Sequence, residues 1–116
     1  MRDSTGEIKI YDILVNAEIP FEEEYEFSDL KSSSGRALRF DFAVFDDLGY
    51  LDFLIEFQGR QHYVPVKKFG GGKGVSRQKY NDLQKRKYCL EHNIKLVTIP
   101  YYDENKITYD FIMKDK

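Results

Sequence analysis

Two neighbouring segments in the middle of the chain alternate apolar residues with polar or small ones. Because successive side chains on a strand point to opposite faces, this alternation predicts two β-strands. The turn signal Asp46-Asp47-Leu48-Gly49 lies between them, so residues 37–58 are predicted to form a β-hairpin. The apolar positions, each set predicted to share one face, are Phe40, Phe42 and Val44 on the first strand and Phe53, Ile55 and Phe57 on the second.

Residues with helical spacing flank this hairpin on both sides. Apolar residues recur three and four positions apart after Ser4-Thr5-Gly6-Glu7, which predicts a helix that starts there, and a second helix is predicted over 76–92. The other predicted segments are an acidic strand over 21–27, a Ser/Gly loop over 31–36, a flexible basic loop over 64–75, a buried strand over 94–99 and a short closing helix over 103–113. The order α-β-β-β-α-β predicts an α/β sandwich with mixed sheet pairing.

Two carboxylates, Asp41 and Glu56, lie fifteen residues apart within the predicted hairpin. Their positions are nearly symmetric about the turn, so we expect them to be close to cross-strand neighbours. Alternation places them, with Gln58, on the face opposite the aromatic residues. Like charges at that separation repel unless a cation lies between them, and a hard divalent cation prefers oxygen ligands. For either carboxylate alone, a solvated edge position is the alternative interpretation.

Basic residues are concentrated in one part of a chain whose net charge is −2. From Arg60 to Tyr88 the single acidic residue is Asp82, whereas the first thirty residues are rich in acids. This asymmetry predicts a positive patch that attracts a phosphate backbone, although a solvated helix face would have the same composition. The basic residues of the segment are Arg60, Lys67, Lys68, Lys73, Arg77, Lys79, Lys85, Arg86 and Lys87.

Length and cysteine content restrict the class of protein. The 116 residues are enough for one hydrophobic core, so we predict a single domain over 1–116. No apolar run approaches the ~20 residues that a membrane-spanning helix needs. The single cysteine, Cys89, excludes an internal disulfide and fits a reducing compartment.

The segment Arg39-Phe-Asp-Phe, followed by Ile55-Glu-Phe-Gln-Gly-Arg-Gln-His62, resembles the PD-(D/E)XK nucleases. The similarity is closest to the branch that holds the very-short-patch repair endonucleases and the phage EDxHD homing endonucleases. The parent pattern has a lysine two residues after the glutamate, where this chain has the neutral Gln58. The branch instead uses a histidine shortly after a glycine, and His62 matches it. The remaining positions of its pattern correspond to Glu7, Asp41 and Asp82.

This resemblance implies a restriction-endonuclease-like α/β sandwich that hydrolyses DNA with a metal ion. Asp41, with Glu56 or a neighbouring main-chain carbonyl, would hold magnesium, or manganese as its substitute. His62 would act as general base or acid, since its unperturbed pKa is close to neutrality. Asp82 would orient His62 or a second metal ion. Glu7 would position water or complete the metal shell, although its spacing from Ser4 also matches a helix capping box, and both roles are compatible.

The resemblance further implies the catalytic domain of a homing-type endonuclease, from a phage or its bacterial host, acting in the cytoplasm. We expect a monomer that binds double-stranded DNA, with Lys85, Arg86 and the glycine-rich basic loop on the phosphate backbone. A catalytically silent nucleic-acid-binding module is the first alternative, and Gln58 in the lysine position favours it. An enzyme acting on another phosphate ester is the second, although the sequence has no nucleotide-cradling loop.

Overall fold

The computed structural model describes residues 5–60, 71–114 and 116, with the backbone alone for 71–75. The predicted order α-β-β-β-α-β is confirmed within these residues. The elements are α1 (Thr5–Asn16), β1 (Phe21–Lys31), β2 (Ala37–Phe45), β3 (Leu51–Gln58), α2 (Gly71–Glu91), β4 (Lys95–Pro100), a 3-10 helix (Tyr101–Lys106) and α3 (Tyr109–Lys114).

The four strands form one mixed sheet in the order β1-β2-β3-β4. β1, β2 and β3 pair antiparallel, whereas β4 pairs parallel to β3 because α2 carries the chain back across the sheet. The predicted β2–β3 hairpin is confirmed, with Ala43 opposite Leu54. Its turn is closed by Asp46, whose Oδ1 accepts the N–H groups of Leu48 and Tyr50 at 2.9 and 3.0 Å. The protein therefore has an α/β fold in which helices flank a mixed sheet.

Each face of the sheet is covered by its own hydrophobic core. α1 and α3 bury one face, which we call the α1-side core, and α2 buries the other, the α2-side core. Central residues of the α1-side core are Ile10, Leu14, Phe42, Val44, Phe53, Ile55, Phe57 and Ile112, and those of the α2-side core are Leu38, Phe40, Ala43, Leu54, Tyr88 and Cys89. Because β3 has both of its faces covered, every residue from Phe53 to Phe57 is buried.

The face that β2 presents changes at Asp41. Phe42 and Val44 pack in the α1-side core, whereas Phe40 packs in the α2-side core, so the prediction that these three share one face is wrong. The neighbouring strand is irregular at the same level: Glu24, between the register pairs that flank Asp41, has a φ of 50°. A residue in the left-handed region bends the strand locally and interrupts regular alternation.

Several predicted boundaries differ from the structure, and one of them is the end of β1, which lies at Lys31 instead of residue 27. α2 begins at Gly71, five residues before the predicted start, so residues 71–75 are helical where a flexible loop was expected. Glycine weakens a helix by about 1 kcal/mol relative to alanine and does not prevent one. The rest of that loop, 64–70, lies outside the described residues. The closing helix predicted over 103–113 is two short helices, divided between Lys106 and Tyr109. No helix in the described part of the chain has the length and apolar character to span a membrane.

Candidate carboxylate site

The site begins where the pairing of β2 with β3 ends, at Phe42 opposite Ile55. One residue further, the hydrogen bonds between the two strands go to side chains. The N–H of Asp41 donates to Glu56 Oε1 at 2.9 Å, and the N–H of Phe57 donates to Asp41 Oδ2 at 2.7 Å. The two carboxylates therefore take the place of backbone carbonyls as acceptors. These backbone hydrogen bonds hold both side chains in a defined position relative to the sheet.

Burial and a cation distinguish Glu56 from an ordinary strand carboxylate. Its side chain is 7% exposed, and its Oε2 lies 3.0 Å from Nζ of Lys85, whose side chain is 13% exposed. The same Nζ lies 5.4 Å from the centre of the Phe40 ring. The Lys85 side chain thus extends from α2 to β3 and passes the Phe40 ring. A buried charge is stable in a protein only when it is paired and hydrogen-bonded, and this pair meets that condition.

The electrostatics of Glu56 reflect its surroundings. Burial raises the pKa of Glu56 to about 8, and the negative charge of Asp41 adds to this increase. Lys85 opposes it, both through its charge and through its hydrogen bond. The site therefore holds two close carboxylates in a poorly solvated place where added positive charge is favourable. Such perturbed groups are typical of functional sites.

A second hydrogen bond extends the site along α2. Gln58 Nε2 donates to Asp82 Oδ2 at 3.1 Å, which joins the end of β3 to the helix one turn before Lys85. Glu56, Gln58, Asp82 and Lys85 line a common pocket of about 10 Å³, together with Arg86, Leu96 and Thr98. A cavity of that size holds about one water molecule. The lysine position of the parent nuclease pattern, Gln58, thus lies beside a lysine from another element.

The first turn of α1 packs against the end of β3, where Gly6 lies against the ring of Phe57. A side chain at Gly6 would overlap the ring of Phe57, so only glycine allows the helix this close. Glu7 follows directly and is half-buried. The predicted site residue is therefore on the turn that packs beside the strand carrying Glu56. Ser4, the other half of the predicted capping box, lies outside the described residues.

The predicted basic residues are in different environments. Arg60, Arg77 and Arg86 are exposed, whereas Lys85 lies inside the carboxylate site instead of on the surface expected to meet DNA. The difference arises because Lys85 precedes the buried Tyr88 and Cys89 by three and four residues. Helical spacing therefore turns it toward the sheet. That spacing was a signal in the sequence for a site role of Lys85, which the sequence interpretation missed. Of the other predicted residues, His62, Lys67 and Lys68, and the side chain of Lys73, lie outside the described part.

The donor set is compatible with magnesium. Magnesium is commonly held by one or two carboxylates, with water and substrate phosphate as its remaining ligands, and Asp41 and Glu56 supply two carboxylates on facing strands. Backbone N–H groups occupy one oxygen of each. Lys85 contacts the second oxygen of Glu56 and would share it with the ion. Among the residues described, there is no group of three or more His, Cys, Asp or Glu side chains that could hold a metal ion.

Comparison with known proteins links part of the chain to viral proteins. No family model matches the chain, and no solved structure does. It is similar to uncharacterized protein 094L of Frog virus 3 (isolate Goorha), with 45% identity over 49 residues, 40% of this chain and 32% of the relative. It is also similar to uncharacterized protein 307L of Invertebrate iridescent virus 6, with 36% identity over 56 residues, 47% of this chain and 28% of the relative. The chain thus spans about a third or less of the curated relatives that it matches.

Proposed function

We propose that this chain is a metal-dependent DNA endonuclease with the PD-(D/E)XK fold, of the homing-type branch that its motifs resemble. The observation that carries the proposal is the arrangement of Asp41 and Glu56, each accepting a backbone N–H of the facing strand, with Lys85 on Glu56. The mixed sheet and the order of elements are compatible with that fold. A buried carboxylate such as Glu56, next to a second carboxylate on an inner strand, is costly to keep for stability alone, which favours a catalytic role.

Each residue of the carboxylate site has a chemical role in this proposal. Asp41 and Glu56 would hold the magnesium ion, which supplies Lewis acidity to the scissile phosphate and a more acidic bound water. Lys85 supplies positive charge beside Glu56, the charge that Gln58 lacks, and so can stabilise the negative charge that develops on phosphate oxygens. The hydrogen bond from Gln58 holds Asp82 next to this position. His62 stays the predicted proton-transfer group, and Glu7 the predicted water-positioning group.

Incubation with supercoiled plasmid tests the proposal. We expect conversion to nicked or linear DNA in magnesium or manganese and no conversion in a chelator. The Asp41→Asn protein is the control for a contaminating nuclease, because it keeps an oxygen that can accept the Phe57 N–H. Cleavage by that variant at the parent rate, or no cleavage by the parent protein with either metal, would overturn the endonuclease assignment.

A second candidate function is a nucleic-acid-binding module that kept the fold without the chemistry. The contact between Lys85 and Glu56 Oε2 favours it, because an internal cation already occupies an oxygen that a metal ion would need. The same plasmid experiment separates the two functions. A binding module would retard DNA in a gel with chelator and leave it intact with metal.

A further inference from the structure

A groove of about 670 Å³ lies between the turn that joins β1 to β2 and the first half of α2. Ser32 and Ser34 line it from the turn, with Arg36, and Arg77, Tyr80 and Asn81 line it from the helix. Among the described residues that line the groove, none is acidic. Two arginines therefore line this space, and within the described part of the chain no carboxylate residue lines it with them.

The turn is ordered by its own hydrogen bonds. The N–H of Ser32 donates to the carbonyl of Arg36 at 2.7 Å, the N–H of Gly35 donates to the carbonyl of Ser32 at 3.0 Å, and the hydroxyls of Ser32 and Ser34 are 2.9 Å apart. Gly35 has a φ of 85°, which a residue with a side chain rarely adopts. Arg36 is thus held at the edge of the groove by a defined turn, opposite Arg77 of α2.

The groove and the carboxylate site are neighbours along two elements, β2 and α2. On β2, Leu38 lines the groove and Asp41 follows three residues later, about 10 Å along a strand. On α2, Asn81 lines the groove and Asp82, which lines the neighbouring pocket, follows directly. A distance of about 10 Å is the rise of about three nucleotides along one strand of a duplex.

We infer that this groove binds the phosphodiester backbone of the DNA strand on one side of the phosphate that is cut. Arg36 and Arg77 would contact phosphate oxygens, with the serine hydroxyls and Asn81 as neutral donors, the set of groups that proteins use on the DNA backbone. Tyr80, which is 50% exposed, supplies an apolar wall for the sugar or base. The inference rests on the proposed function and adds Arg36 and the β1–β2 turn to the surface that recognises DNA.

The test compares DNA binding by the parent protein, R36A/R77A, R36K/R77K and K106A/K114A, with magnesium replaced by chelator. The last variant removes the same amount of charge, but Lys106 and Lys114 lie on the 3-10 helix and α3, which belong to the opposite side of the sheet. Fluorescence anisotropy of a labelled duplex is followed over a series of salt concentrations. Circular dichroism and melting temperature show whether each variant is folded.

We expect R36A/R77A to bind about tenfold more weakly or worse at low salt. Its log–log salt dependence should be flatter by about two units, one for each lost phosphate contact. R36K/R77K should keep the parent slope and K106A/K114A the parent affinity. Parent affinity in R36A/R77A, or an equal loss in K106A/K114A, would overturn the assignment of this groove. A parent protein that binds through the groove but never cleaves would instead overturn only the endonuclease proposal, because binding is measured without metal.

Discussion

Lys85 Nζ of α2 lies 3.0 Å from Glu56 Oε2 of β3, and both side chains are almost fully removed from solvent. This contact connects the helix to β3, an inner strand of the sheet, through a charged pair beside the α2-side core. It also supplies a cation at the place where the strand itself has the neutral Gln58. The pair therefore has consequences for stability and for the proposed chemistry, and the two can be measured separately.

Lys85→Met should destabilise the protein by about 3 kcal/mol at pH 9, above the raised pKa of Glu56, and by less at pH 5. Removal of one partner leaves a buried carboxylate without its cation, and at low pH that carboxylate is neutral. Lys79→Met, at an exposed position of the same helix, should cost little. Urea unfolding of K85M, E56Q and the double variant gives the coupling energy. A coupling near zero, or equal losses in K85M and K79M, would show that the pair contributes nothing to folding.

Asp41→Asn should reduce magnesium-dependent cleavage by about 100-fold or more while the melting temperature changes little. Asparagine keeps an oxygen that can accept the Phe57 N–H but loses the charge that holds a metal ion. The matched control is Asp52→Asn on β3, whose carboxylate pairs with Lys116 at 2.9 Å and has no place in the site. Initial rates of plasmid nicking decide the matter: equal activity of D41N and D52N would remove Asp41 from the metal site.

The hairpin and the pairing of its carboxylates were predictable from the sequence. Alternation and the Asp-Asp-Leu-Gly turn determine the register, and that register brings Asp41 next to Glu56. Local pattern carries this information because the two strands are adjacent in sequence and joined by a short turn. The confirmed order of elements comes from the same kind of signal.

The side of the sheet on which Phe40 packs could not be predicted in this way. Its side chain belongs to the α2-side core because alternation is interrupted at Asp41, at the level where Glu24 of the neighbouring strand has a left-handed φ. The position of Lys85 on the buried side of its helix was visible in the sequence. Its pairing with Glu56 could not be predicted, because the two residues lie on elements that are distant in sequence. Non-local contacts of this kind are not encoded in the period of either segment.

Gln58→Lys should restore part of the cleavage that Lys85→Met removes. Positions 58 and 85 line the same pocket beside Glu56, so a lysine on the strand can return the positive charge that the helix has lost. Gln58→Lys alone should be tolerated, because its ammonium can replace the donor to Asp82. Rates of plasmid cleavage by K85M, Q58K and Q58K/K85M are compared at equal folded fraction. A folded double variant as inactive as K85M would show that the position of the ammonium matters more than its charge.

Gly6→Ala should destabilise the protein by about 1–3 kcal/mol, the usual cost of an overpacked core. The added methyl group would overlap the ring of Phe57, which the sheet holds in place. Phe57→Leu provides the matched background: because the ring is absent, the alanine should cost much less there. Urea unfolding of the four proteins measures both effects. An equal cost of the alanine in both backgrounds would contradict the close packing of α1 on β3.

The pKa of Glu56 predicts opposite pH trends for folding and for metal binding. Burial raises this pKa from 4.5 to about 8. Below about pH 4.5 the carboxyl group is protonated in both the folded and unfolded chain. Between pH 4.5 and 8 the unfolded chain releases a proton that the folded chain retains, so the contribution of Glu56 to the free energy of unfolding falls as pH rises and is constant above about pH 8.

Metal binding should strengthen over the same interval, because a cation on Glu56 has to displace that proton. We therefore expect the increase in melting temperature caused by magnesium to grow from pH 6 to pH 8.5 in the parent protein. In Glu56→Gln, which has no proton to displace and no charge to offer, the increase should be small and independent of pH. Thermal unfolding of both proteins, with magnesium and with chelator, gives the comparison directly. Magnesium stabilisation of the parent that is the same at both pH values would exclude Glu56 as a ligand, whatever the protein's activity on DNA.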